Sequence, residues 1–265
     1  MKPILRHPVR LAVAGGLFSI LAVGVALWAF GAAEVEGDLD FPLIAQHPHD
    51  RQAYTQGLLY HDGQLYESTG LYGRSSLRRV ELTTGRVLQR RDLPRQLFGE
   101  GLVLVGERLI QLTWRAGVAI VYDRESFEPQ TAFRYPTQGW GLTFDGRHLV
   151  MSDGSARLYF RDPTTFAVVR TVTVTDDIER PVAALNELEY IDGEVWANIY
   201  RSFDIVRIDP ATGKVVARHD FRPLLKAEDR YGGEDVLNGI AFDPATRRLF
   251  LTGKLYAFVY VLQLP

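Results

Sequence analysis

An all-β protein preceded by one N-terminal helix is what this sequence predicts, and three observations carry that fold class. From residue 54 onward, short runs alternate apolar and polar side chains, the period of a half-buried strand, with almost no 3.6-residue periodicity. The runs are separated by "HDGQ" (61–64), "TTGR" (83–86), "FDGR" (144–147), "IDGE" (191–194) and "PATGK" (210–214). In such turns Gly supplies the positive φ that tight hairpins need. Finally, a short motif recurs as "TQGLLY" (55–60), "GEGLVL" (99–104), "GWGLTF" (139–144), "LNELEY" (185–190) and "LNGIAF" (237–242).

Aligned on Gly57, Gly101, Gly141, Glu187 and Gly239, these starts lie 44, 40, 46 and 52 residues apart. Four short strands repeated at that spacing are the signature of propeller blades, so five starts predict a five-bladed β-propeller. The last unit, 237–264, has room for about three strands at ordinary strand lengths. The stretch "DFPLIAQHP" (40–48) supplies the fourth and closes the ring between the two ends of the chain. A β-sandwich with evenly spaced hairpins is the alternative fold, but a sandwich has no need of a repeated initial motif.

Ahead of the repeats, Lys2, Arg6 and Arg10 precede an uncharged apolar run from Leu11 to Ala33, followed by "AEVEGDLD". A spanning helix needs about 20 apolar residues and a cleaved signal core about 7–15. This run has 23, which favours an uncleaved signal-anchor over a removed signal peptide. The basic flank puts residues 1–10 in the cytoplasm and everything after 33 outside it. The expected organisation is a basic cytoplasmic flank (1–10), a signal-anchor or signal-peptide helix (11–33), a linker (34–41) and the propeller (42–265). The protein is then extracytoplasmic, on the periplasmic side, and either held in the membrane through 11–33 or secreted.

Composition narrows the function classes. With 30 Lys+Arg against 32 Asp+Glu the net charge is -2, so no basic surplus speaks for nucleic acid. Cysteine is absent, which removes disulfides, thiolate metal sites and a Cys nucleophile. A closed propeller protects its strand edges, so a monomer is expected.

The first strand of each blade lines the central channel, so the motif positions Gln56, Glu100, Trp140, Asn186 and Asn238 are expected to converge at one end. Glu100 supplies a carboxylate between Gly99 and Gly101, glycines expected to bend the backbone and leave room for a substrate. Gln56, Asn186 and Asn238 supply amides, although Asn238 is equally suited to cap a turn between blades. Trp114, Trp140, Phe98 and Tyr54 supply apolar walls, and Lys254 adds a cation. No His and acid cluster has metal-ligand spacing, and "SDGS" (152–155) lacks the context of a serine nucleophile. Proton transfer by one carboxylate in an apolar, amide-lined pocket remains. Burial would raise the Glu100 pKa toward neutrality, and Lys254 would oppose the rise. Elsewhere, alternation puts Glu187 and Glu189 on one strand face, opposite Asn186, where an inter-blade salt bridge is expected. His47 and His49 are expected to be surface or packing residues.

Nine motifs in order, "YTQGL" (54–58), "YESTGLYGRSSLR" (66–78), "LFGEGL" (97–102), "QLTW" (111–114), "GWGLT" (139–143), "LNELEY" (185–190), "VWANIY" (195–200), "VLNGIA" (236–241) and "LTGK" (251–254), carry a resemblance. Over about 42–264 the chain resembles the plant-type glutaminyl-peptide cyclotransferases, also called glutamine cyclotransferases, which are found in plants and bacteria. The resemblance implies a five-bladed propeller that cyclises the N-terminal glutamine of peptides or proteins to pyroglutamate, releasing ammonia without a catalytic metal or other cofactor. It allows a structural calcium ion, but no Asp/Glu run here has ligand spacing and none is assigned. Matched residue by residue, Glu100 is implied to shuttle the proton, with Gln56, Asn186 and Lys254 near the reacting amide. Trp114, Trp140 and Phe98 match the aromatic pocket. Tyr54 stands where some members have Phe, and Tyr200 where plant members have Trp. Two rival readings differ in class. A non-catalytic extracytoplasmic propeller that binds peptides or proteins would not need Glu100. A metal-dependent, lactonase-like propeller would need convergent Glu, Asn and Asp ligands and, as a rule, six blades.

Overall fold

A computed structural model describes residues 38–265, so the expected anchor over 11–33 lies outside the described residues. The described chain forms twenty strands in five four-stranded sheets, the five blades of the expected propeller. Blade 1 holds β2 (Thr55–His61), β3 (Gln64–Thr69), β4 (Ser76–Glu81) and β5 (Val87–Asp92). Blade 2 holds β6 (Gly99–Val105), β7 (Arg108–Thr113), β8 (Val118–Asp123) and β9 (Pro129–Arg134). Blade 3 holds β10 (Leu142–Phe144), β11 (Leu149–Ser152), β12 (Arg157–Arg161) and β13 (Val168–Thr173). Blade 4 holds β14 (Leu185–Ile191), β15 (Glu194–Ile199), β16 (Asp204–Ile208) and β17 (Val215–Asp220). Blade 5 takes β18 (Leu237–Asp243), β19 (Arg248–Gly253) and β20 (Phe258–Gln263) from one end of the chain and β1 (Leu43–Pro48) from the other.

The hairpins form where the turn chemistry demands. Asp62–Gly63 and Asp192–Gly193 both have positive φ (49° and 79°, 50° and 88°), the two-residue turn whose twist matches antiparallel strands. Burial then falls from axis to rim: β18 is buried along its whole length, whereas β9 and β13 are almost wholly exposed. Between each pair of neighbouring blades lies an apolar cluster. Leu58 and Val80 of blade 1 meet Ala241, Phe250 and Val261 of blade 5, and Leu59 and Leu77 meet Leu102 and Leu109 of blade 2. Each such aliphatic side chain contributes roughly 1.5–3 kcal/mol by leaving water, so the ring is held by its seams.

Near the axis the recurrent glycine has a steric cause. A Cβ on Gly57 would stand 2.5 Å from the Leu102 amide nitrogen, one on Gly101 2.5 Å from that of Leu142, and one on Gly141 2.0 Å from the Asn186 carbonyl oxygen. Successive inner strands therefore touch backbone to backbone, which only glycine permits. A Cβ on Gly99 would meet the Thr69 carbonyl at 2.7 Å. These glycines thus make room for the neighbouring strand, and the expectation that Gly99 and Gly101 clear space for a substrate is corrected.

Blade 4 carries Glu187 at the glycine position, and its carboxylate accepts the backbone N–H of Leu58 at 3.2 Å and of Ile240 at 2.9 Å. One side chain so fastens blade 4 to blades 1 and 5. The expected inter-blade salt bridge is corrected: among the described residues neither Glu187 nor Glu189 pairs with a cation, and amides take that place. Burial pushes both carboxyls up, Glu189 to about 8, and the proximity of Glu189 pushes Glu187 further.

Closure comes from β1, which pairs antiparallel with β20 from Leu43↔Leu262 to Pro48↔Phe258. Just after it, His49 sits inside the junction rather than holding a ligand. Its Nδ1 lies 2.9 Å from the Tyr256 carbonyl and its Nε2 3.0 Å from Glu67 Oε1, which also accepts from Thr55 Oγ1 at 2.7 Å. Burial alone would lower the His49 pKa and raise that of Glu67; the ion pair reverses both directions.

Candidate active site

The site is built from irregularities at the starts of the inner strands. In four of the five first hairpins the register slips: between Thr55 and Gly57, Gly99 and Leu102, Leu185 and Leu188, and Leu237 and Ile240. The slipped positions include Gln56, Glu100, Asn186 and Asn238. An extra residue opposite the partner strand turns a side chain out of the regular alternation. Here it turns four polar side chains from four blades toward the axis.

Three of them, Gln56, Glu100 and Asn186, meet in a cavity of about 190 Å³ lined also by Tyr54, Leu71, Phe98, Trp114, Trp140, Tyr200 and Lys254. Drug-sized ligands occupy pockets of roughly 300–1,000 Å³, so this one suits a single amino-acid residue. Of the ten side chains expected there, nine line it and Asn238 does not, and Leu71 is the one addition. Asn238 stands one layer behind: its Nδ2 donates to the Thr55 carbonyl at 3.0 Å and to Gln56 Oε1 at 3.3 Å, fixing the Gln56 amide.

The walls hold each other in place. Phe98 lies 5.5 Å from Trp114 and meets Tyr54 edge-on at 6.2 Å, and Trp140 meets Tyr200 edge-on at 5.5 Å, all between ring centroids. Both indoles donate to one acceptor, Gln138 Oε1, Trp114 at 2.6 Å and Trp140 at 3.0 Å. Tyr54 donates its hydroxyl to Asp235 Oδ2 at 2.9 Å. Gln138 and Asp235 lie in connections between blades, where no strand periodicity marks them, and the sequence reading missed both.

Electrostatics concentrate on two groups. Glu100 is 3 % exposed and accepts from Gln56 Nε2 at 3.0 Å. Burial drives its pKa well above the ordinary carboxylate range, and Lys254 pulls the other way. Lys254, 2 % exposed, has its pKa lowered by burial against the opposing pull of Glu100 and Asp235. Its Nζ stands 5.0 Å from the Tyr54 ring centre and 4.9 Å from that of Tyr200, a cation held between two π faces. The Asn186 side-chain oxygen, in the same wall, is buried without a hydrogen-bond partner and is free to accept from a bound amine or amide. Together these groups can accept a proton, return it, and stabilise a developing oxyanion. Among the described residues no group of three or more His, Cys, Asp or Glu is arranged to hold a metal ion.

A family model described as glutamine cyclotransferase matches residues 19–264. A glutaminyl-peptide cyclotransferase of Arabidopsis thaliana is 44% identical over 231 residues, covering 85% of this chain and 71% of its own length. Among solved structures, a glutaminyl cyclase of Myxococcus xanthus superposes with a TM-score of 0.78 at 38% identity, over 84% of this chain and 95% of its own. The Swd1 β-propeller domain of Myceliophteria thermophila Cps50 matches with a TM-score of 0.51 at 9% identity, over 85% of this chain and 100% of its own, a likeness of fold alone. From its family match and its identity to the plant relative, the chain belongs to the glutamine cyclotransferase family.

Proposed function

We propose that this chain cyclises N-terminal glutamine through a proton shuttle at Glu100. The chain is a glutaminyl-peptide cyclotransferase: the substrate's α-amine attacks its own γ-amide carbonyl, the new C–N bond closes pyroglutamate, and ammonia leaves. Nucleophile and electrophile belong to one residue, so little entropy is lost in bringing them together. What the protein must supply is proton movement and charge stabilisation. Glu100 in its ionised form, which Lys254 favours against burial, takes the proton that the amine sheds as the C–N bond forms. It hands that proton to the departing nitrogen. Lys254 faces the oxyanion of the tetrahedral intermediate, and Asn186 orients the amide through its free oxygen. The five aromatic side chains exclude water, which strengthens each of these interactions. No step in this scheme calls for a cofactor.

The carrying observation is a single carboxyl, buried in an apolar cavity, bonded to one amide and facing one lysine. The anchor reading supports placement outside the cytoplasm, in the membrane through residues 11–33 or released from it, acting on exported peptides or proteins that begin with Gln. The closed ring of sheets supports a monomer, and the charge balance gives nucleic acid no purchase. Incubating the full chain with a Gln-initiated dipeptide and following ammonia tests the activity. Turnover unaffected by chelator supports the shuttle, and turnover abolished by chelator overturns it in favour of a metal mechanism.

A further inference from the structure

The cavity's rim carries a feature that the cyclisation chemistry does not use. Arg115 directly follows the wall residue Trp114 in the β7–β8 loop, and Arg201 directly follows Tyr200 in the β15–β16 loop. Both arginines are exposed. The Arg115 guanidinium lies over the Trp114 ring at 3.8 Å from its centre, and that of Arg201 lies 5.4 Å from the centre of Tyr200. Among the described residues, neither makes an ion pair or a hydrogen bond to another side chain. Between them runs a continuous wall, Trp114 and Trp140 joined through Gln138, and Trp140 packed on Tyr200. Blades 2 and 4 thus bring unpaired cations to the mouth, while blade 5 brings Asp235, bonded to Tyr54.

Stacking on an aromatic face fixes a guanidinium's plane and leaves its in-plane N–H groups open. That geometry matches a carboxylate, which Arg grips through paired hydrogen bonds. Once a glutamine fills a cavity of about 190 Å³, the rest of the peptide has to leave across this rim. We infer that Arg115 and Arg201, each on its own blade, offer separate carboxylate-binding positions along the rim that select peptides bearing a negative charge just after the cyclising glutamine. The inference rests on the cyclotransferase reading above. Two sources share this chemistry: an acidic side chain at the next position, and the C-terminal carboxylate of a short peptide.

The test is ammonia release by the full chain from Gln-Ala-Ala-amide, Gln-Glu-Ala-amide, Gln-Lys-Ala-amide and free Gln-Ala. The expected result is a kcat/KM for the Glu peptide about tenfold above the neutral one, carried by KM and shrinking at high salt, with the Lys peptide below both. A similar gain for free Gln-Ala assigns the C-terminal carboxylate as a second source, and its absence confines the rim positions to side chains. In R115Q/R201Q the ratio of Glu to neutral peptide is expected to fall to about one. Equal kcat/KM for the three amidated peptides in the wild type overturns the rim selection and leaves the cyclotransferase reading standing. A preference that survives in R115Q/R201Q also overturns it, by placing the selection elsewhere. No turnover of any peptide, Gln-Ala-Ala-amide included, overturns both.

Discussion

Gln56 Nε2 donates to Glu100 Oε1 at 3.0 Å across the seam between blades 1 and 2. Burial is the larger effect on Glu100 and raises its pKa, and Lys254 lowers it, while a donor to a carboxylate in general favours its ionised form. Glu100 is thereby kept able to both take and return a proton.

Replacing Glu100 by Gln keeps the shape of the side chain and removes the proton acceptor. The rate of ammonia release should fall at least ~100-fold, the usual scale for a general acid–base group. Thermal stability should hold or rise, because a buried carboxyl is removed. A wild-type rate in this variant would take Glu100 out of the mechanism.

Lys254 pulls the Glu100 pKa down from where burial would put it. In Lys254→Met that pull is gone, so Glu100 binds its proton more tightly and ionises at higher pH. The acid limb of kcat, which reports the bound complex, should therefore shift to higher pH, alongside a loss of rate from the unshielded oxyanion. The substrate's α-amine, ordinarily at about 7.7–8.0, adds its own limb to kcat/KM that no variant moves. An acid limb of kcat that stays in place would separate Lys254 from Glu100 electrostatically.

Gly101→Ala puts a methyl 2.5 Å from the Leu142 amide nitrogen. Forcing the blade 2 and blade 3 strands apart should cost about 1–3 kcal/mol in a urea titration, the range for overpacked cores. If the glycine instead cleared space for substrate, KM would rise with no loss of stability.

Glu189 keeps its proton in the folded state up to about pH 8, against 4.5 for an ordinary glutamate. Its raised pKa means the stabilising contribution is complete below about 4.5 and is lost as pH climbs through about 8. Within that window each pH unit removes on the order of 1.4 kcal/mol. Glu189→Gln should flatten the fall of Tm between pH 5 and pH 8. Parallel Tm curves for wild type and variant would show that the carboxyl is not held protonated.

Much of this molecule was legible because one physical demand repeats. Gly57, Gly101 and Gly141 recur because the inner strands of blades 1, 2 and 3 each meet the next blade's backbone, and the recurring motif gave both the blade count and the place where Glu100, Gln56 and Asn186 converge. What the alternation rule missed arose where alternation fails. The slipped register at Leu185–Leu188 upset the pattern that suggested a salt bridge for Glu187, and the acid found backbone amides instead. Gln138 and Asp235 were invisible for another reason. They act through contacts that only the assembled ring creates, from connections with no period to read.

The pairing of β1 with β20 also constrains how the molecule comes into being. Leu43 and Leu262 are about 220 positions apart, and contacts between such distant residues slow folding because the chain entropy is lost before they form. Blades 1 to 4 can each assemble as their strands leave the ribosome, but blade 5 must wait for β20 to join β1. Until then the Leu58–Phe250 seam is open and its apolar faces are bare. Because Lys254 belongs to that late blade, the growing chain has no complete site until the strands of blade 5 have been made.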